Sequence, residues 1–240
     1  MTKQRHRQKG KKSVIEENHL KLVDIFPMTD NQEMFFDNYE SNKSQLLLGC
    51  PGTGKTFMAM FKALEEIASP RSDYRQIVIV RSAVATRNEG FLPGTAKEKA
   101  EVYEKPYVAI CNELFGRSDA YEILKKRRAI EFMTTSHIRG NTINNAIVIA
   151  DEIQNMTAHE ADSVLTRVGK LCKIIFCGDL NQRDITKYNE KNIEAFLKVV
   201  QKMKGRFDFT YFTVDDVVRS GLVGAYLKEK YKIYPEGYQN

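Results

Sequence analysis

The stretch GCPGTGKT, from Gly49 to Thr56, limits the possible folds more than any other, because such a segment has a use only where a strand ends and a helix begins. QLLLG, ending at Gly49, is a short apolar run with strand character, and a helical pattern follows from Lys55 to about Ala68. The glycines let the backbone curl so that amide groups converge on a phosphate, and the helix adds its positive N-terminal end. Gly49, Cys50, Pro51, Gly52, Thr53 and Gly54 form the candidate cradle. Lys55 would then reach the β- and γ-phosphates, and the Thr56 hydroxyl would meet Mg²⁺.

The rest of the chain alternates in the same way. QIVIV, IEFMTT from Ile130, AIVIA, CKIIFC and FDFTYF read as strands. Helical patterns cover about Glu98 to Leu114, Thr157 to about Val168, Ile193 to Val200, and Val217 to Lys228. Thr157 with Glu160 is a capping-box signature. This alternation predicts an α/β fold with a mostly parallel sheet and helices on both faces. A chain of 240 residues, 42% hydrophobic, builds one substantial core. Residues 1–20 read as a basic, disordered tail and 21–240 as the folded domain. Lys and Arg exceed Asp and Glu by 37 to 31, much of the excess lying in KQRHRQKGKK, where contact with a phosphate backbone and simple solubilisation fit equally well. No window is long and apolar enough to span a membrane, and no signal peptide is visible, so a cytoplasmic location is expected. Cys50, Cys111, Cys172 and Cys177 form no ligand-like set with the histidines, which predicts reduced thiols and no structural metal.

AIVIA ends in Asp151 and Glu152. A phosphate loop needs a distant carboxylate for the Mg²⁺ shell, and Asp151 is placed for it. Glu152 is then free to take a proton from water attacking a γ-phosphate, which favours hydrolysis over transfer to a substrate hydroxyl; a surface charge or helix-cap contact is the plain alternative. In FCGDLNQ, Asp179 and Gln182 are placed to flank the γ-phosphate, Gln182 as a sensor, although a turn stabilised by Asp179 explains the same letters. Gln154 is either a sensor or a cap. Gln32, in TDNQ, has an amide suited to an adenine edge, whereas Phe35 and Tyr39 read as packing residues.

Together these segments resemble the PhoH-like family, the phosphate-starvation-type ATPases of bacteria and their viruses, and are similar to the first motor domain of superfamily-one helicases. The resemblance rests on TDNQ, GCPGTGKT, IVIVRSAV, GFLPG with KEKAEVYEKP, the IRG of residues 138–140, IVIADEIQN, LTRVG, FCGDLNQRDI and DVVRSGLV, from about residue 29 to 223. Ser82, where relatives often have Pro, departs from the pattern, as do Cys50 and Pro51. The resemblance implies a phosphate-loop NTPase domain of three-layer, RecA-like form. It also implies ATP and Mg²⁺ as cofactors, RNA or single-stranded DNA as partner, and a homo-oligomer, with a hexamer as the family expectation. Arg81 and Arg87 are the implied nucleic-acid phosphate contacts. Arg139, Arg167 and Arg219 lie in or beside family segments and are candidates to complete an ATP site, one of them across a subunit boundary. An ATP-controlled interaction module or clamp with slow hydrolysis is the competing class. A metabolite kinase is a third, with no acceptor site visible.

Overall fold

The computed structural model describes Ile15 and residues 20–82, 96–138, 140, 142–180 and 190–234. Helix α1 spans Asp30–Tyr39, strand β1 Ser44–Gly49, α2 Lys55–Ala68 and β2 Gln76–Arg81. Then come α3 (Ala96–Phe115), α4 (Ala120–Lys126), β3 (Ile130–Thr134) and β4 (Ala146–Asp151). The chain continues through α5 (Ala158–Thr166), β5 (Cys172–Gly178), α6 (Glu190–Lys202), β6 (Phe207–Phe212) and α7 (Gly221–Ile233). The strands form one six-stranded sheet in the order β3-β2-β4-β5-β1-β6, and every pairing is parallel.

Period-two alternation divides each strand between two cores. Leu47, Ile77, Ile79, Ile147, Ile149 and Ile175 face α1 to α4, whereas Leu46, Leu48, Val78, Val80, Val148 and Ile174 face α5 and α6. Helices therefore cover both faces, as the continuous apolar strands require. The α/β, largely parallel expectation holds. Of the segment expected to be a tail, only Ile15 and Leu20 are described. Both are buried, and the Leu20 N–H donates to the Ile15 carbonyl at 3.1 Å.

TDNQ opens a helix, in line with the reading of Phe35 and Tyr39 as helix packing: Thr29 caps α1 by accepting from the Gln32 N–H, and α1 buries Phe35 and Tyr39. Those two aromatics pack in the core. The closing helix starts at Gly221 and not at Val217, because Thr213 caps a short 3-10 turn over Val214–Asp216 and the next residues are drawn across the phosphate loop. There the Val218 N–H donates to the Gly52 carbonyl at 3.1 Å. The short helix α4 was not anticipated.

Candidate active site

Strands β1, β4 and β5 lie side by side, so the loops leaving their carboxyl ends meet at one crevice, where ligands bind in open α/β sheets. A cavity of about 540 Å³ lies there. Its polar end is lined by Gly52, Gly54, Lys55, Thr56, Asp151, Glu152 and Asp179.

The phosphate loop has the backbone that its glycines permit: φ is +133° at Gly49, +74° at Gly52 and +81° at Gly54. Gly54 caps α2 without a side-chain hydrogen bond, leaving the first amides of that helix for an anion. At Gly49 a Cβ would stand 1.8 Å from the Phe212 carbonyl oxygen. Gly49→Ala should therefore lose at least about 1–3 kcal/mol from backbone conformation alone, lowering the melting temperature by several degrees and abolishing phosphate binding; thermal denaturation and nucleotide titration check this.

Lys55 is buried, and its Nζ donates to the carbonyls of Gly49 (2.8 Å) and Cys50 (2.6 Å). Burial pulls its pKa below the usual lysine value, against the opposing charges of Asp179 and Asp151. The Thr56 hydroxyl donates to Asp151 Oδ1 at 2.9 Å, so the two expected metal-shell residues meet directly. Asp151 Oδ2 accepts from the Tyr107 hydroxyl at 2.8 Å. Burial foremost, then the Asp151 charge, push the Tyr107 pKa well above its ordinary value.

Glu152 leaves β4 in the left-handed region, with φ +53°, which turns its half-buried side chain toward the cavity. Burial and then the charge of Asp151 raise its pKa above the usual glutamate range, with Arg81 opposing. Gln154 bridges two strand exits: its amide nitrogen donates to Glu152, and its oxygen accepts from the Asp179 N–H at 3.0 Å. Gln154 thus orients the Glu152 carboxylate and ties it to the exit of β5. Asp179 is buried and accepts from the Tyr231 hydroxyl at 2.8 Å, which ties α7 to the site.

Gln32 lines the cavity with both ends of its amide engaged, donating to the Thr53 carbonyl at 2.9 Å and accepting from the Met28 N–H at 2.7 Å. The apolar end of the cavity comes from Ile25, Phe26, Met28, Phe57 and Ile110, none of them singled out from sequence. Residues 20–28 run past the end of α3, where the Val23 N–H donates to the Leu114 carbonyl at 2.8 Å. No local pattern marks that wall.

The arginines divide. Arg219 lines the cavity beside Gly52 of its own chain. Arg167 lies at the opposite end of the strands: its carbonyl accepts from the Ile143 N–H, just before β4 begins. Arg81 is half-buried at the end of β2, in register with Asp151, and is drawn toward Tyr107 and the two carboxylates. Burial lowers its pKa, but Tyr107, Glu152 and Asp151 outweigh that and raise it. Gln182, Arg87 and Arg139 lie outside the described residues.

These residues fit Mg²⁺ and a nucleoside triphosphate. Mg²⁺ is held by one or two protein oxygens together with phosphates and water, and Thr56 and Asp151 are the residues that would supply those oxygens. Among the described residues no helix is long and apolar enough to cross a membrane.

The family model described as PhoH-like protein matches residues 24–231. The PhoH-like protein of Mycobacterium tuberculosis (strain H37Rv) is 33% identical over 215 residues, covering 88% of this chain and 59% of the relative. That of Bacillus subtilis is 36% identical over 180 residues, covering 73% of this chain and 54% of the relative. The chain thus spans little more than half of either. The large terminase of a thermophilic bacteriophage, in complex with ADP, shares the fold, with a TM-score of 0.53, 13% identity, and coverage of 89% of this chain and 51% of that one. On the family match and these identities, the chain belongs to the PhoH-like family of phosphate-loop ATPases.

Proposed function

We propose that this chain binds Mg-ATP and hydrolyses it, and that turnover is coupled to binding of RNA or single-stranded DNA in a homo-oligomer. The observation that carries the hydrolytic reading is the convergence of Lys55, Thr56, Asp151 and Glu152 on one cavity. Bound Mg²⁺ would neutralise charge on the phosphate oxygens. Lys55 leaves the loop carbonyls to meet the β- and γ-phosphates, and the amides opening α2 hold the same groups. Glu152, oriented by Gln154, accepts the proton of the attacking water. The wall of Ile25, Phe26 and Met28 gives the base an apolar face, and Gln32 retains a second N–H and a second lone pair for its edge. Phe26→Ala should weaken ATP binding about tenfold and leave triphosphate contacts in place, as read by comparing ATP with inorganic tripolyphosphate as competitors.

An interaction clamp with slow hydrolysis is the second reading, favoured by one observation: Lys55 is committed to the carbonyls of its own loop and must be released before it can act. Turnover measured with and without RNA separates the two, since a coupled ATPase accelerates and a clamp does not. The nucleic-acid contact is proposed at the exit of β2, with Arg81 beside the ATP site. Arg81→Gln should lower affinity for unrelated sequences alike and reduce the salt dependence. Absence of binding to both RNA and single-stranded DNA across a salt series would remove that half of the reading.

A further inference from the structure

Two hydroxyls from different helices grip the Asp151 carboxylate. Thr56, on α2, takes Oδ1 at 2.9 Å, as the phosphate-loop motif anticipates. Tyr107, on α3, takes Oδ2 at 2.8 Å, and no motif anticipates that. Tyr107 is fully buried, with its ring 5.7 Å from that of Phe132 on β3. A buried tyrosine hydroxyl needs an acceptor, and a backbone carbonyl would satisfy it equally well. Here the acceptor is the carboxylate that the metal shell requires.

Geometry explains what this accomplishes. A carboxylate has about four lone-pair sites, and the two hydroxyls each occupy one, fixing the plane of the group while leaving a site on each oxygen. Arg81 is the competitor: it ends β2 in register with Asp151 and interacts with Tyr107, Glu152 and Asp151. A direct Arg81–Asp151 ion pair would commit to a guanidinium the charge needed by a divalent cation. The Tyr107 hydroxyl bonds Asp151 and also interacts with Arg81, so it partners both groups of that would-be pair.

Resting on the reading of Asp151 as a metal-shell carboxylate, we propose that Tyr107 is a positioning residue: its hydroxyl holds Asp151 in the orientation that serves Mg²⁺ and keeps Arg81 from pairing with it.

The test is Tyr107→Phe in the full chain, which removes one oxygen and keeps the ring against Phe132. Binding of a fluorescent ATP analogue is measured in EDTA and across a Mg²⁺ series. Affinity in EDTA should match that of the unaltered protein, while the Mg²⁺ concentration for half of the metal-dependent gain should rise about tenfold, the scale of outer-shell substitutions at metal sites. In an Arg81→Gln background the Tyr107→Phe effect should shrink, because the competing cation is gone; a role confined to packing would leave it unchanged. The proposal is overturned if Tyr107→Phe leaves the Mg²⁺ requirement unaltered, or weakens binding equally with and without the metal. If the unaltered protein binds the analogue but gains nothing from Mg²⁺, the reading of Asp151 itself fails, an outcome distinct from either of those. Should Tyr107→Phe not fold, Arg81→Gln is measured alone across the same Mg²⁺ series: because Arg81 is the competitor for Asp151, its loss should not raise the Mg²⁺ requirement, and a rise of about tenfold would overturn the assignment.

Discussion

Replacing Glu152 with glutamine is expected to slow ATP turnover by about 10²-fold or more while leaving Mg-ATP binding intact, because the change removes the proton acceptor and keeps the shape. The local structure favours a clean result. Glutamine can still accept the hydrogen bond that Gln154 gives to Glu152, and it meets the left-handed backbone at position 152 with the same side-chain bulk. Lys55→Ala acts differently. It removes the cation from beneath the loop and should abolish binding itself, so titration of a nucleotide analogue separates the two variants. Gln154→Ala should fall between them, since it frees Glu152 to swing without removing it. Steady-state phosphate release near the unaltered rate in Glu152→Gln would refute the base assignment.

What the sequence made legible is what depends on near neighbours. The phosphate loop announces itself because glycines, lysine and threonine at fixed spacing have one structural use, and the strands announce themselves as apolar runs bounded by polar turns. α1 is marked in the sequence by Phe35 and Tyr39, whose spacing reads as helix packing. Thr29 and Gln32 have the spacing of a capping box, and the Gln32 side chain, the candidate adenine contact, also bonds Met28 and Thr53. The start of α7 was misplaced because the contact that holds Val218 extended is with Gly52, far away in the chain. Arg81 reads in the sequence as a polar strand exit, but its neighbours follow from the pairing of β2 with β4, which strand patterns alone do not fix. Tyr107 had no signal at all. Its partner is 44 residues away, and within its own helix it looks like any core aromatic.

Removing Arg219 is expected to cost turnover the most among the arginines, about 10³-fold, the lower end of what a charge-stabilising arginine contributes to phosphoryl transfer. A phosphate-loop domain with Lys55, Thr56, Asp151 and Glu152 still needs positive charge on the outer side of the γ-phosphate, and Arg219 stands on the rim of that cavity. Its placement is built in. Val218 is bonded to the Gly52 carbonyl, Arg219 Cγ lies 3.0 Å from where a Cβ on Gly52 would stand, and α7 is pinned through Tyr231 to Asp179. These contacts are all within one chain, so the arginine is expected to act in cis. Mixing Arg219→Ala chains with Lys55→Ala chains should therefore restore nothing, because every site in the mixture lacks one of the two. Arg167 gives the opposite expectation. It sits at the other end of the strands from the cavity, so it would need a neighbouring copy to meet a γ-phosphate. If a ring forms and uses it, Arg167→Ala mixed with Lys55→Ala would recover activity while the Arg219 mixture would not. Mass and specific activity measured across protein concentration complete the test. Recovery in the Arg219 mixture would move that side chain to the partner's site, and a monodisperse monomer with full activity at every concentration would show that no second copy is needed.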